Sequence, residues 1–422
     1  MGSTHLGDEH GAAELAANEL RTTVAIRERC GQLLQRARAG ESRWFIVDDG
    51  SMQAAAHEVV AATRERYPRG HIPIHSRWRH FEAGGVDRRA ALIKVMGEPT
   101  NTAKAHALTD LTIVSVLLDA GAGADWKYTE AATGRTFTRS EGLAVASFHA
   151  FMGGLFSGDR DRPLQVDSTG LRALHTQRLK EAFQVTDMNP MVGIDDRAIL
   201  LRRFGEVMAE QPEVFGDAGR PSGIFDMIVT TLGPDVPPTA DVSAHDILSQ
   251  LLASMQNIWP ASNSIGHVPL GDYWRHPAVR GPGLSDGWVP FHKLSQWMTY
   301  SLLEPFECSG VKVRDVHMLT ALPEYRNGGL MLDSGLLRLR DEAAAGETWH
   351  IGDEIIVEWR ALTLALMDEV AHAVRHKMHG DERHLSLAKV LEGGSWAAGR
   401  TLAQRKRNGL PPLNVASDGT VF

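Results

Sequence analysis

Cysteine is scarce in this chain of 422 residues, which contains only Cys30 and Cys308. The two thiols lie far apart in the sequence and in no metal-ligand spacing, so they form no disulfide framework and are typical of a reducing compartment. A basic surface is also missing, because the formal net charge is −8. A protein that binds nucleic acid through the phosphate backbone needs a basic footprint, so we expect no nucleic-acid partner.

Long apolar runs are absent as well, and no stretch is long enough to span a bilayer. The N-terminal segment is polar and acidic, unlike a signal peptide, and Leu6 spoils the myristoylation pattern that would begin at Gly2. Apolar residues make up 43% of the chain and charged residues 23%, as in ordinary soluble globular proteins. We therefore expect a soluble cytoplasmic protein without a membrane partner, and the sequence leaves its oligomeric state open.

Several catalytic motifs are lacking: the nucleophile elbow, a Cys–His pair with family spacing, the phosphate-binding loop and the dinucleotide fingerprint. Acid–base or electrostatic chemistry by carboxylates is then the mechanism that the sequence favours, with Asp119, Glu304, Glu307 and Glu324 as candidates. We predict no cofactor.

Helical periodicity dominates and predicts a mainly α fold. The predicted helices are 12–39, 51–66, 101–120, 141–156, 168–182, 195–210, 243–257, 291–304, 353–378, 385–392 and 394–407. Short strands are predicted at 43–47 and 164–166, with a hairpin of 126–128 and 136–138 around Gly134. Two stretches, 211–241 and 259–290, predict loops, and the second should be ordered because it holds four large aromatic residues. We predict an N-terminal helical extension (1–34), one mainly helical catalytic unit (35–412) and a C-terminal tail (413–422).

The segment FHKLSQWMTYSLLEPFE (291–307) predicts a helix with an unusual polar face that a proline, Pro305, should end. One stripe of this helix carries a lysine, an amide, an indole, a phenol and a carboxylate: Lys293, Gln296, Trp297, Tyr300 and Glu304. An exposed face usually carries several Lys and Glu residues and no Trp. The composition suits the wall of a small-molecule pocket, although an amphipathic helix with paired polar groups would also explain it.

Four further blocks concentrate polar groups that are costly to bury without a purpose. In HSRWRHFE (75–82), Arg77 and Arg79 beside Trp78 suit the recognition of an anion, while His75 and His80 could be metal ligands. Surface arginines packed on an aromatic ring are an equally good explanation of this block.

The next two blocks are DLTIVSVLLDAGAGADWKY (110–128) and TRSEG (138–142). In the first, a helix should end near Asp119, where a carboxylate opposes the helix dipole and needs a partner or a function. Arg139 in the second block is a candidate partner, although Ser140 could make this block a simple helix cap.

The last block, LTALPEYRNGGLML (319–332), places a polar group of residues between two apolar runs. Its polar residues are Glu324, Tyr325, Arg326 and Asn327. A tight turn between buried flanks is where a pre-positioned catalytic carboxylate would lie, and a plain exposed turn is the alternative.

Together these blocks resemble the family of uracil catabolism protein 4, which belongs to a route of pyrimidine degradation that passes through a ribosylated urea. The resemblance covers residues 35–412. It rests on six blocks in order: HSRWRHFE (75–82), DLTIVSVLLDAGAGADWKY (110–128), RSEGLAVASF (139–148), VPFHKLSQWMTYSLLEPFE (289–307), LPEYRNGGL (322–330) and VEWRALTLALMD (357–368).

A second resemblance concerns mechanism. FHKLSQ (291–296) followed by PEYRNGGL (323–330) is similar to paired motifs of the queuosine-salvage nucleoside hydrolases, which have a DNA-glycosylase-like helical fold and cleave an N-glycosidic bond. It implies that Lys293 and Gln296 lie in a pocket and that Glu324 takes the place of the carboxylate at the sugar. This chain has Glu where that family carries the shorter Asp, and it lacks the hairpin glycines that grip DNA.

The two resemblances imply a hydrolase that cleaves the N-glycosidic bond of ribosylurea, or of its 5′-phosphate, and releases urea. The expected catalytic residues are Glu324 and Lys293, with Glu304 of the polar helix face as a third candidate. The expected substrate-binding residues are His75, Arg77, Trp78, Arg79, His80, Asp119, Arg139, His292, Gln296, Trp297, Tyr325, Arg326 and Asn327.

Two alternatives stay open. The protein could hydrolyse the urea or amide C–N bond of an opened pyrimidine, with or without a metal held by His75 and His80. It could also be a non-catalytic partner protein of the pathway.

Overall fold

The computed structural model describes residues 3–230, 241–259 and 263–416. Helices supply most of the regular structure, and the described strands are only two or three residues long. The predicted mainly α fold is confirmed. The DNA-glycosylase-like arrangement of the helices stays a prediction.

The described chain divides into two compact units. Unit 1 takes residues 3–75, 263–296 and 316–416, and unit 2 takes residues 76–230, 241–259 and 297–315. The predicted boundaries at 34 and 412 stay predictions.

Unit 1 is built around the Glu354–Lys377 helix, which packs against two earlier helices, Thr23–Arg38 and Met52–Arg66. Its other helices are Ser3–Leu20, Tyr325–Asp333, Leu387–Val390 and Trp396–Arg407, with a π-helical turn at Leu391–Ser395. Its antiparallel strand pairs are Phe45–Val47 with Leu337–Leu339, Asn263–Ile265 with Val268–Leu270, and Tyr273–Arg275 with Trp288–Pro290. A parallel pair joins Thr348–Trp349 to Asn414–Val415.

Unit 2 is centred on the Asn101–Leu117 helix, in which every side chain from 107 to 117 is buried. Its further helices are Arg77–Phe81, Arg88–Met96, Arg139–Met152, Ser168–Arg172, Thr176–Ala182, Ile194–Glu210, Pro212–Phe215, Gly223–Thr230 and Ala244–Ser254. Lys127–Thr129 pairs with Thr136–Thr138, which confirms the predicted hairpin. Asp241–Ser243 pairs in parallel with Lys312–Arg314.

The predicted helix 12–39 is in fact two helices, Ser3–Leu20 and Thr23–Arg38. Thr22 between them has an extended backbone, and its hydroxyl accepts a hydrogen bond from the Ala25 N–H at 3.1 Å. Thr22 is therefore an N-cap that starts a new helix. The apolar pattern continues on both sides of this break, so periodicity alone did not reveal it.

The predicted strand at 164–166 is wrong. Val166 donates its backbone N–H to the buried carboxylate of Asp110 at 3.1 Å, instead of to a neighbouring strand. The predicted helix 168–182 is likewise interrupted, because Ser168–Arg172 and Thr176–Ala182 are separate.

The two proline-rich stretches are more regular than a loop. In the described part of 259–290 the chain forms two hairpins, and the rings of Tyr273 and Trp288 are buried. The expectation that this stretch is ordered is confirmed for its described residues. Two short helices lie in the described part of 211–241, and residues 231–240 of that stretch lie outside the described residues.

The helix that follows residues 259–290 spans Lys293–Cys308. It continues through Pro305, so the predicted stop is wrong. A proline has no N–H for the carbonyl four residues earlier, here that of Ser301. The indole N–H of Trp78 donates to the Ser301 oxygen at 3.1 Å instead. A tertiary hydrogen bond thus replaces the missing helical one. The first four residues of this helix belong to unit 1 and the rest to unit 2.

In the part of the chain that the structure describes, no helix is both long and apolar enough to cross a membrane.

Candidate functional site

Glu324 lies half-buried at the N-terminal end of the Tyr325–Asp333 helix, where it is the N-cap residue. Its two carboxylate oxygens accept hydrogen bonds from the backbone N–H groups of Arg326 and Asn327, both at 2.7 Å. Asp, Asn, Ser and Thr are the residues that helices prefer at this position. A longer Glu here is unusual, and it puts a carboxylate at the positive end of a helix dipole.

The turn that carries Glu324 is fixed by side chains on several elements. Asn327 donates its amide to the Leu322 carbonyl at 3.0 Å and accepts from the Ser395 hydroxyl at 2.9 Å. Its amide is therefore used within the protein. The next residue, Gly328, has to be a glycine, because a Cβ there would lie 2.6 Å from the buried ring of Trp359.

Lys293 begins the Lys293–Cys308 helix, and its backbone N–H donates to the carboxylate of Asp272 at 3.0 Å. The same carboxylate receives two hydrogen bonds of 2.7 Å from the guanidinium of Arg360, and one of 2.9 Å from the Trp274 indole. Arg360 also reaches the carbonyl of Pro323 through Nε at 3.4 Å. We call Asp272 and Arg360 the anchor pair. It joins the start of the lysine helix to the turn that holds Glu324.

The electrostatics of the two carboxylates differ. Burial raises the pKa of Glu324 above its usual range, against the opposing effect of two backbone N–H groups and of the positive charges of Lys293 and Arg326. Burial would also raise the pKa of Asp272, but the adjacent Arg360 outweighs it and holds the pKa below its usual range. Arg360 thus favours the ionised form of Asp272, whereas burial opposes ionisation of Glu324 and the nearby donors and positive charges favour it.

Gln296 is fully buried one turn after Lys293. Its amide oxygen accepts from the Thr320 backbone N–H at 3.3 Å, which fixes the orientation of the amide. Its Nε2 donates to no described residue.

Tyr325 and Arg326 lie next to Glu324. Arg326 is buried, and its guanidinium lies 4.7 Å from the centre of the half-buried Tyr325 ring. Lys293 and Arg326 both favour the ionised form of Glu324, so these three residues form one electrostatic group within unit 1.

His292 has a different environment from its neighbour Lys293. It is buried with a left-handed backbone (φ 52°), and its Nε2 lies 3.0 Å from the Leu20 carbonyl oxygen. Burial lowers its pKa to about 4, so the ring is neutral at physiological pH and donates this hydrogen bond. His292 is not among the residues proposed to contact the substrate.

His75 belongs to another buried network of unit 1. Its Nδ1 lies 2.8 Å from Glu392, a residue of the π-helical turn that also accepts from Arg66 and Tyr67 at 2.7 Å. Burial opposes ionisation of Glu392, but these donors, led by His75, lower its pKa to about 2.

The remaining predicted residues lie in unit 2. Arg77 is completely buried and forms an ion pair with Asp119 at 2.9 Å. Asp119 follows the end of the Asn101–Leu117 helix as predicted, but its partner is Arg77 and not Arg139. Arg139 is exposed at the start of its helix, which begins before Ser140, so Ser140 is not the cap.

Glu304 is an ion-pair residue of unit 2. It accepts from the Ser76 hydroxyl at 2.6 Å and from Arg79 at 2.7 Å, so each of its oxygens has a donor. These bonds fix the Arg77–Phe81 helix, whose N-cap is Ser76. Trp78, on the same helix, is the residue that compensates for Pro305.

His80 and Trp297 lie together in unit 2, with ring centres 5.8 Å apart. His80 Nδ1 lies 3.3 Å from the guanidinium of Arg77, and because arginine can only donate, Nδ1 is the acceptor. Neither His80 nor His75 belongs to a group of three close metal-ligand side chains within the described residues.

The sequence of this chain matches, over residues 19–422, a family model described as "Protein of unknown function (DUF1688)". The chain belongs to this family. The match spans nearly all of the chain, so both units are parts of the family's fold.

Two relatives extend this result. "Protein urg3" of Schizosaccharomyces pombe is 38% identical over 409 residues, which cover 94% of this chain and 96% of that protein. "Uracil catabolism protein 4" of Lachancea kluyveri is 39% identical over 378 residues, which cover 83% of this chain and 85% of that protein. The resemblance to the family of uracil catabolism protein 4 is confirmed.

The sequence did not single out the residues that position the candidate site. Asp272 lies in the stretch read as a loop, and Arg360 lies in a long apolar helix 88 positions later. Only the presence of a charged residue inside an apolar helix could have indicated a buried partner.

Proposed function

We propose that this protein acts in uracil catabolism as an N-ribosyl hydrolase that cleaves the N-glycosidic bond of ribosylurea, or of its 5′-phosphate, and releases urea. The name of one relative supports the pathway. The observation that carries the chemistry is the carboxylate of Glu324, held by two backbone N–H groups in the same electrostatic group as Lys293.

Glu324 is the proposed catalytic carboxylate. As the bond between the ribosyl carbon and nitrogen breaks, positive charge builds up on the sugar, and an ionised carboxylate next to the anomeric carbon stabilises it. The two backbone hydrogen bonds hold the carboxylate in one orientation before the substrate arrives, so little reorganisation is needed during the reaction.

Lys293 is the proposed donor to the leaving group. Urea leaves poorly as an anion, so its nitrogen must receive a proton as the bond breaks. Water adds its hydroxyl to the anomeric carbon, and its remaining proton restores the donor. The products are ribose, or ribose 5-phosphate, and neutral urea.

The anchor pair supplies the positioning. Asp272 holds the backbone of Lys293, and Arg360 holds both Asp272 and the carbonyl that precedes Glu324. Both proposed catalytic residues therefore depend on one buried ion pair.

The direct test is to incubate the purified protein with ribosylurea, with and without a 5′-phosphate, and to measure free urea. We expect urea and a reducing sugar in equal amounts. A C–N hydrolase would instead release ammonia and leave no urea, and the absence of both products would favour the non-catalytic alternative.

A set of Glu324 variants separates catalysis from helix capping. Asn accepts the capping hydrogen bonds without a charge, so Glu324→Asn keeps the cap and should lower kcat by roughly 10²–10³-fold. Asp341→Asn is the matched control, because Asp341 is an exposed N-cap carboxylate of the same unit, bonded to the Ala343 N–H at 2.9 Å. If Glu324→Asn keeps full activity, Glu324 is only a cap.

Lys293→Met keeps the apolar stem and removes the charge. We expect its activity to recover in part with a ribosylurea whose urea carries an electron-withdrawing group, because a better leaving group needs less protonation. An equal loss with both substrates would contradict the role of Lys293 as donor.

A further inference from the structure

Three metal-ligand side chains come together where the Glu354–Lys377 helix begins. Glu354 and Glu358 are four residues apart on one helix face, and His276 follows the Tyr273–Arg275 strand. One donor atom from each of these residues lies within 4.8 Å of the donor atoms of the other two. All three belong to unit 1.

The distance between His276 and Glu358 matches that between two ligands of one metal ion. His276 Nε2 and Glu358 Oε2 are 3.4 Å apart, at the long end of the hydrogen-bond range. In a tetrahedral site with bonds of about 2.0–2.1 Å, neighbouring ligand atoms lie about 3.3–3.4 Å apart.

A buried oxygen of Glu358 also lacks a donor. Glu358 is 2% exposed, and its Oε1 accepts no hydrogen bond from any described residue. Because a buried carboxylate oxygen without a donor is costly, such an atom calls for a ligand, and a cation would satisfy it. Glu354, which is half-buried, accepts from the Trp44 indole at 3.3 Å and is oriented by it.

We infer that His276, Glu354 and Glu358 bind one divalent transition-metal ion, for which Zn²⁺ is the simplest probe. One imidazole and two carboxylates leave a fourth position for water, as in sites with three protein ligands. The mixed nitrogen and oxygen ligands suit zinc better than magnesium, which prefers six oxygen ligands.

Binding requires one rearrangement of His276. The Ala278 N–H donates to His276 Nδ1 at 3.2 Å, so the ring hydrogen of the neutral imidazole lies on Nε2. For Nε2 to take a metal, this hydrogen must move to Nδ1, and the contact with Ala278 must open.

The proposed ion would join the two segments that carry the anchor pair. Asp272 immediately precedes the Tyr273–Arg275 strand, and Arg360 lies two residues after Glu358. The ion would therefore stabilise unit 1 and its anchor pair whether or not the protein is a glycosidase.

The experiment uses untagged full-length protein, stripped with a chelator, equilibrated with Zn²⁺ and dialysed. Metal content and the thermal midpoint are then measured, with Mg²⁺ as the comparison ion. We expect wild type to retain about one more zinc per chain than Glu358→Gln or His276→Asn. We also expect zinc, but not magnesium, to raise the midpoint of wild type only.

His384→Asn is the matched control, since His384 is an exposed histidine that lies 2.7 Å from Asp381 and should not affect zinc retention. If Glu358→Gln does not fold, the half-buried Glu354→Gln replaces it. Equal zinc retention by wild type and the ligand variants, or equal shifts of their midpoints, would overturn the inference. Neither readout depends on activity, so failure here leaves the proposed glycosidase untouched.

Discussion

Removing one partner of the anchor pair should destabilise the protein strongly. In Asp272→Asn the buried Arg360 keeps its charge, and the Trp274 and Lys293 N–H groups lose a charged acceptor. Arg360 is 1% exposed and cannot lose its proton, so the cost should be about 3–5 kcal/mol in the free energy of unfolding. This cost should not depend on pH between 5.5 and 7.5.

The opposite variant, Arg360→Met, should behave differently because Asp272 can take up a proton. In wild type the pKa of Asp272 is lowered, so its contribution to stability is present above the unfolded value and is lost only as the pH falls below about 4. Without Arg360, burial should raise the folded pKa above the unfolded one. Stability is then lost as the pH rises between these two values.

The assay is equilibrium unfolding in urea, followed by tryptophan fluorescence, at pH 5.5, 6.5 and 7.5. As the pH is lowered within that window, Arg360→Met should recover up to about 1.4 kcal/mol per pH unit relative to wild type. Asp272→Asn should recover nothing. In the double variant the two costs should not add, because each single substitution already breaks the same Asp272–Arg360 contact.

An exposed ion pair provides the control. Arg36 and Glu41 lie 3.6 Å apart with side chains that are 42% and 63% exposed, and Arg36→Met should cost less than about 1 kcal/mol at every pH. If either anchor variant costs as little as this control, or if the two costs simply add, the anchor is not the buried pair on which the positioning argument depends.

Three further variants test particular residues. In His292→Asn, asparagine tolerates the positive φ, and the buried ring is removed. The free energy of unfolding of wild type should fall by about 1.4 kcal/mol per pH unit as the pH is lowered from 6.5 towards 4, and that of the variant should fall less. Trp78→Phe removes the indole donor to the Ser301 carbonyl, and Pro305→Ala restores a backbone N–H for the same carbonyl. A double-mutant cycle by urea unfolding should therefore show a coupling of about 1 kcal/mol. Additive costs would contradict the idea that the indole replaces the missing backbone donor. Glu392→Gln should lower the free energy of unfolding by about 3 kcal/mol at pH 7. The reason is that the stability gained by ionising Glu392 is present above pH 4.5 and is lost between pH 4.5 and about 2. An acid-unfolding curve that is the same for the variant and wild type would refute this.

The sequence determined the properties that depend on local patterns. Apolar periodicity predicted the mainly α class and most of the helices, and the short strand pattern around Gly134 predicted the 127–138 hairpin. Four aromatic residues correctly indicated that the second proline-rich stretch is ordered. Six motifs in order were sufficient to recognise the family.

Contacts between distant segments decided the rest. Pro305 has the same local chemistry as any helix stop, but the Trp78 indole, more than 220 positions earlier, donates to the carbonyl that the proline cannot serve. Asp119 needed a cation nearby, but no local pattern could choose Arg77 over Arg139. The partners in the anchor pair and in the His276, Glu354 and Glu358 group are likewise set by packing. A charged side chain indicates in the sequence that it needs a partner, and only the tertiary structure brings that partner within hydrogen-bonding distance.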